Sequence, residues 1–408
     1  MTPFVLVASL GWALAVTVGR GLVRPNDWAE AHWLLDYRFG SLKRAHIGTL
    51  LAPVFDLPFI NTEWAIGLFS GLLFTLFGIT LLWLCLKILS TAPNHLPTLW
   101  VALLFLTSPY IVMIANLIGY FDNIILLLTV AACWLVQTHR PLLSGLILLI
   151  GVFVHETIVL VGIPSVLFFA LVYHTRHTVV GQPHWQWSNL IRHYWPLVLL
   201  PATAFLTLVL YQTAWLDTEN FIATFREHLL AHPFIVNNGS ELVPTLLATS
   251  YFDFLGEQRF LLAKRLFHRG YLLRIMPAVA LLLLYVWHRL EGVAHRRLLI
   301  VTLAGIALLP LTLHAIAFDT NRIWTYPLIV LLLGIYAISN VYPAGQFPTP
   351  WLFSAAATLI VLSQIQMSTP LMGQFAERFT LLQRLLLYAP IFVSAVWLTV
   401  QKGNWYGR

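Results

Sequence analysis

Between Glu63 and Lys87 stand twenty-three consecutive residues with no charged side chain among them. A helix needs about 20 such residues to cross a bilayer, far more than the single apolar stripe of a helix on a soluble protein. The pattern recurs along the chain. Apolar runs bounded by polar clusters predict helices over 3–19, 63–86, 98–117, 121–137, 141–154, 158–173, 195–215, 272–288, 298–317, 323–341, 351–367 and 381–400. The runs are continuous and not alternating, which argues against a membrane β-barrel. Hydrophobic residues make up 59% of the chain and charged residues 10%, against roughly 45–50% and about 25% in soluble domains. Too little charge is present to coat a soluble surface, so a soluble enzyme, a disordered chain and a disulfide-rich secreted fold are excluded. The expectation is an all-α, polytopic transmembrane bundle of about twelve spans, ten at the fewest, forming a single integral membrane domain over residues 1–408.

Cys85 and Cys133 both lie inside apolar runs, so neither a disulfide nor a thiolate metal site is expected. The formal charge of +7 is scattered between apolar runs, which favours contact with anionic membrane lipid over nucleic acid. Phe4–Val18 follows three residues without a positive charge and reads as a retained first helix, not a cleaved leader. From Arg140 to Arg176 one apolar stretch is interrupted near its middle by His155-Glu156, which predicts a tight hairpin with the polar pair at its turn. Two connections are long, 20–62 and 216–271. The second contains an amphipathic stretch at Phe221–Leu230. Another, 259–274, mixes Arg259, Lys264, Arg265 and Arg269 with Phe260, Leu262, Leu266 and Phe267, a composition suited to a helix in the headgroup plane.

Twelve crossings place alternate connections on opposite faces. One face then holds 20–62, 118–120, 155–157, 216–271, 318–322 and 368–380 with the adjoining helix ends, and with them 15 of the 16 acidic residues and 14 basic ones. The other face holds Glu291 and 9 basic residues in short connections. The short basic connections are expected in the cytoplasm, which makes 20–62 and 216–271 extracytoplasmic loops.

Ionised groups are costly inside a bilayer, and here they gather at helix ends of the acidic face. Four clusters stand out: Asp36-Tyr37-Arg38-Phe39-Gly40 with Lys43-Arg44, Gly119-Tyr120-Phe121-Asp122-Asn123, His155-Glu156, and Asp319-Thr320-Asn321-Arg322. Each has a plain structural reading. Asp36 can pair locally in a solvated loop, Asp122 can cap a helix, His155-Glu156 can form a polar turn, and Asp319 can pair with Arg322 three residues on. Their shared face points instead to chemistry. A carboxylate serves as a general base, Arg and Lys hold a phosphate, and His with carboxylates can ligate an optional divalent cation. No H-E-x-x-H, Walker loop or G-x-G-x-x-G is present, so no metal set or soluble nucleotide is assigned.

This layout resembles the GT-C superfamily of integral-membrane glycosyltransferases, whose members carry a catalytic acid in a long first external loop and a second between helices three and four. The matching residues are Asp36, with Asp27 and Glu30 as rivals, and Asp122 within Gly-Tyr-Phe-Asp-Asn. The Asp-Tyr-Arg-Phe-Gly…Lys-Arg stretch and the His-Glu pair are also similar to bacterial membrane proteins of polysaccharide clusters. The resemblance implies an enzyme of the bacterial inner (plasma) membrane. It would move a sugar, with inversion, from a polyprenyl-phosphate donor to a lipid-linked glycan or other envelope acceptor on the extracytoplasmic face. Asp36 would be the base. Asp122, His155 and Glu156 would orient donor, acceptor or a divalent cation. Arg38, Lys43, Arg44 and Arg322 would hold the phosphate, with Tyr120 and Asp319 in the same binding site. Alternatives are a polymerase or ligase of lipid-linked polysaccharide and, from a different class, a transporter or flippase, for which His314 is the candidate group within a span.

Overall fold

The computed structural model describes residues 3–40, 43–92, 95–176, 187–317, 319–342, 347–367 and 377–403, and the architecture is that of these residues. Residues 318 and 368–376, within two connections expected on the acidic face, lie outside them. Every secondary-structure element described is helical. α1 (Pro3–Gly21) leads into a first connection that is itself folded, with α2 (Asp27–Trp33), a 3-10 turn Tyr37–Phe39 and α3 (Ala45–Phe55). Then come α4 (Thr62–Ser90), α5 (His95–Leu106), α6 (Pro109–Asn116), α7 (Asp122–Gln137) and α8 (Pro141–Val154). A 3-10 turn Glu156–Val159 leads on to α9 (Gly162–Arg176), α10 (Trp187–Tyr194) and α11 (Pro196–Ala214). The second long connection folds as α12 (Thr218–Leu230), α13 (Asn237–Ala248), α14 (Tyr251–Gln258) and α15 (Leu262–Leu266). The chain closes with α16 (Arg269–Arg289), α17 (Arg296–Leu308), α18 (Thr320–Val341), α19 (Pro350–Gln366) and α20 (Leu381–Gly403).

All twelve sequence-derived segments are helical, with three local corrections. The segment 98–117 is broken: α5 stops at Leu106 and α6 starts at Pro109, because the residue before a proline is pushed out of the helical region, and Ser108 is extended at φ −70, ψ 156. The segment 298–317 tightens into a 3-10 helix over Leu309–Ala315, where Pro310 has no N–H to give an α-turn. The expected tight hairpin around His155-Glu156 has its turn but not its pairing. α8 packs on α7 and α11, while α9 packs on α7 and α18. The amphipathic stretch 259–274 is likewise not one helix, but a 3-10 turn, α15 and the start of α16.

Among the described residues eight helical segments are long and apolar enough to cross a membrane: Phe4–Gly21, Thr62–Ser90, Leu96–Asn116, Glu156–Arg176, Pro196–Ala214, Arg269–Arg289, Arg296–Ala315 and Thr320–Val341. Their outer surfaces require lipid. On α4, Ile66, Ser70, Phe74, Phe77 and Leu81 face inward, yet the opposite stripe of Leu68, Leu72, Leu76 and Ile79 is exposed, Leu68 to 62%. An exposed stripe of that kind on a long apolar helix is stable only in a hydrocarbon solvent. The protein is an integral membrane protein. Its centre is the α5–α6 segment, wholly buried, with α18 nearly so.

Polar contacts join ends assigned to the same face. Arg20 and Arg384, both buried, share the Glu377 carboxylate at 3.1 and 3.6 Å; at the end of α19 Arg20 donates to the carbonyls of Gln364 and Met367, and Arg384 to those of Ile365 and Met367. At the opposite ends, Arg289 reaches Thr91 Oγ1 at 2.9 Å, and the Tyr342 hydroxyl donates to Thr175 at 2.7 Å. Each guanidinium satisfies helix-terminal carbonyls that have no partner within their own helix.

Candidate functional site

Four segments meet at the acidic-face ends of the bundle: α2 with residues 43–44, the turn before α7, the turn after α8, and the start of α18. Two glycines let them approach. Gly119 adopts φ +96, and a Cβ there would stand 3.0 Å from Pro25 Cβ and 3.1 Å from Ala29 Cβ, so the turn before α7 seats on α2 only with glycine. Its carbonyl accepts from Trp33 Nε1 at 2.7 Å. Gly48 of α3 lies on the backbone of Leu35, whose carbonyl oxygen a Cβ would overlap at 1.9 Å.

Arg44 begins α3 in the left-handed region, at φ +69, a conformation costing a non-glycine residue of order 1–3 kcal/mol. Its guanidinium grips Glu156 through Nε to Oε2 at 3.1 Å and through a second contact from the terminal nitrogen to Oε1. The other terminal nitrogen is 2.9 Å from His32 Nε2. His32 donates from Nδ1 to the Trp28 carbonyl at 2.6 Å, which leaves Nε2 as the acceptor from Arg44. Burial, reinforced by the Arg44 charge, pushes His32 down to about 3, so it stays neutral.

His155 caps the 3-10 turn that carries Glu156, its Nδ1 accepting from Thr157 N at 3.1 Å. Burial pushes it down to about 4; Glu156 and Asp122 pull it back up, and Arg44 and Arg322 push further down. It is therefore neutral with its proton on Nε2, and that nitrogen has no partner among the described residues. Lys43 is buried with its Nζ 4.6 Å from the Tyr251 ring centroid and 3.3 Å from the Thr249 carbonyl. Burial lowers its amine to about 8 against the pull of Glu156.

Asp122 does not cap its own helix. Its Oδ2 accepts from Arg322 at 3.2 Å and its Oδ1 from the Tyr326 hydroxyl at 2.5 Å. Asp319 does cap α18, accepting from Arg322 N at 3.2 Å, and lies 3.3 Å from Arg322 Nε. The Tyr120 ring stands 5.8 Å from the Arg322 guanidinium and 6.0 Å from the His32 ring, and burial raises its hydroxyl.

Eight of the ten site residues expected from sequence thus come together: Lys43, Arg44, Tyr120, Asp122, His155, Glu156, Asp319 and Arg322. Asp36 and Arg38 form a separate network. Asp36 accepts from Arg38 N at 2.8 Å, capping the 3-10 turn Tyr37–Phe39, and from Arg38 Nε and its terminal nitrogen at 2.9 and 2.7 Å. Arg38 bridges on to Asp56 at 2.8 Å, and His228 and His232 line the same small recess. Of the rival acids, Asp27 accepts from Gly239 N at 3.1 Å. Glu30 is buried, and no described residue donates to its carboxyl. Burial, then the charges of Glu63 and Asp27, push Glu30 up to about 7.

His32, Tyr251 and Tyr326 are site residues that sequence reasoning missed. His32 had a signal, standing two residues from Glu30 in the acid-bearing first loop; the tyrosines had none. Among the described residues no three His, Cys, Asp or Glu side chains are grouped to hold a metal ion, and the site carboxylates Glu156 and Asp122 are held by arginines. No protein-family model matches the chain, and neither a curated protein nor a solved structure matches it.

Proposed function

We propose that the protein is an integral-membrane glycosyltransferase of the GT-C type, acting on the extracytoplasmic face of a bacterial inner membrane. One observation carries this reading: two largely desolvated ion pairs, Arg44–Glu156 with side chains 19% and 13% exposed and Arg322–Asp122 with side chains 11% and 4% exposed, are assembled from four distant segments with His155 in the field of both. Desolvating such charges costs several kcal/mol per ion, and sites that stabilise developing charge are where that cost has a use. Adding α7, α8, α19 and α20 to the eight long apolar segments makes twelve crossings. Both folded connections, 20–62 and 216–271, then lie on the side of the ion pairs.

In the reaction, the acceptor hydroxyl oxygen bonds to the anomeric carbon as the bond to the donor's phosphate oxygen breaks. The electron pair leaves on the phosphate, and the acceptor's proton passes to a carboxylate. Glu30 fits that role better than Asp36: no described residue donates to its carboxyl, and burial with the charges of Glu63 and Asp27 raises it to about 7, whereas Asp36 is chelated by Arg38. The donor is a polyprenyl-phosphate sugar and the acceptor a lipid-linked glycan. The test is transfer of labelled sugar by the purified protein from polyprenyl phosphate to extracted lipid-linked acceptors; absence of transfer from any such donor rejects the reading. One observation favours a transporter instead. His314 is fully buried in the 3-10 segment Leu309–Ala315 with neither ring nitrogen partnered among the described residues. Movement of a lipid-linked glycan across proteoliposomes without sugar transfer would select that second reading.

A further inference from the structure

The wall around Glu156 offers more hydrogen-bond donors than it has acceptors. The His155 Nε2–H has no acceptor and the Tyr251 hydroxyl has no partner among the described residues. The Lys43 ammonium has three hydrogens and, among the described residues, donates to the Thr249 carbonyl alone, at 3.3 Å. These groups are out of water: His155 is 2% exposed, Lys43 3%, and the Tyr251 oxygen is buried. Lys43 and Tyr251 share one neighbourhood, the ammonium standing 4.6 Å from the Tyr251 ring, while His155 adjoins Glu156, its Nδ1 3.4 Å from Oε2. Arg44 and Arg322 are differently placed, each in ion pairs: Arg44 donates to Glu156 and lies against His32, while Arg322 donates to Asp122 and has its Nε, which makes no hydrogen bond among the described residues, 3.3 Å from Asp319. Buried donors left unpaired are destabilising and call for an explanation.

The geometry points to an anion site in which Lys43 and Tyr251 donate to the oxygens of a phosphate group, while Arg44 and Arg322 serve as braces for the two carboxylates. A phosphate ester supplies several acceptor oxygens and the negative charge that Lys43 lacks. A cation would meet the Lys43 ammonium, and the one carboxylate beside it, Glu156, is already clasped by Arg44; a neutral sugar would leave the ammonium uncompensated. The surroundings favour a phosphate delivered on lipid. Tyr251 opens α14, and from there to Leu273 the chain exposes Phe252, Phe260, Phe267 and Leu273 beside Arg259 and Lys264, an amphipathic border suited to the headgroup layer. Free phosphate has the same oxygens but no use for that border. The assignment rests on the glycosyltransferase reading only for the prenyl character of the carrier.

The experiment uses the full-length protein in nanodiscs, titrated separately with farnesyl phosphate and inorganic phosphate, with binding read from 31P line broadening. K43Q and Y251F are each expected to weaken farnesyl phosphate by about tenfold or more. Y251F should leave the ligand-free melting temperature unchanged or raised, because it deletes an unpaired hydroxyl. Inorganic phosphate binding as tightly as farnesyl phosphate, with the same variant sensitivity, would support the site and assign it to free phosphate. Unaltered affinity of both probes in K43Q and Y251F, or no binding of either, overturns the site even if sugar transfer proceeds. Variant-sensitive binding without transfer to any acceptor keeps the site and removes the enzyme reading.

Discussion

Arg44 and Glu156, 112 residues apart in the chain, hold each other by two donors across the mouth of the bundle. The clasp keeps Arg44 in a left-handed backbone conformation and gives Glu156 its counter-charge. Removing one side, as in R44Q, leaves a half-buried carboxylate unpaired and is expected to cost about 2–3 kcal/mol, below the range for a fully buried pair. The double change R44Q/E156Q should recover much of that loss. Thermal melts in detergent decide it, and a double variant no more stable than R44Q would mean that the pairing itself contributes nothing.

Glu377 is the shared counter-charge of Arg20 and Arg384 at the ends of α1 and α20. E377Q is expected to destabilise by about 3–5 kcal/mol, seen as a lower melting temperature with unchanged topology. A melting curve that coincides with wild type would assign the two arginines entirely to the carbonyls of Gln364, Ile365 and Met367.

Glu30 is expected to set the pH dependence of turnover. E30Q should lower the rate by about 10²–10⁴, and wild-type kcat/KM should rise with pH through about 7 as the carboxyl gives up its proton. D36N should lose far less. The stability effect has the opposite sense. A carboxyl raised by folding contributes stability that is complete below its unfolded value, near 4.5, and is lost as pH rises through about 7. E30Q should therefore match wild type at pH 4 and melt higher at pH 8. An inverted order at pH 8, or a flat rate profile in wild type, would return the role of base to Asp36.

Sidedness has a direct check. Glu219 on α12 and Glu291 between α16 and α17 are exposed, and the proposed twelve crossings put them on opposite faces. Both native cysteines, Cys85 and Cys133, are buried and give little background. E219C should react with an impermeant thiol reagent in cells with a permeabilised outer membrane, and E291C only after lysis. The reverse labelling would put the ion-paired site in the cytoplasm.

The bundle was legible because lipid-facing and core-facing residues are both apolar, so each helix announces itself as a run. The same uniformity hid the detail within the runs. Ser108-Pro109 sits in an apolar stretch whose break depends on one backbone angle, and Pro310 turns an α-helix into a 3-10 helix without a change of polarity. At the site, the convergence of Arg44, Asp122, Glu156 and Arg322 followed from counting crossings. Which acid stays free did not follow. Asp36 and Glu30 have the same chemistry six residues apart; a 3-10 turn commits one to Arg38, while α2 buries the other with no donor at its carboxyl. Tyr251 gave no signal, because an aromatic residue at a membrane border is ordinary there.

The α5–α6 segment at the centre has a bearing on how the chain is made. It leaves the ribosome early, yet packs against α16, α18 and α19 as well as α1 and α4, and its most apolar eighteen residues are wholly buried within the folded protein. Until residue 366 has been synthesised, part of its surface must be covered by hydrocarbon or by an insertion chaperone. Assembly of this protein is therefore a closure in which the last third of the chain displaces lipid from the first, and truncation before α19 would leave the core segment inserted but uncovered.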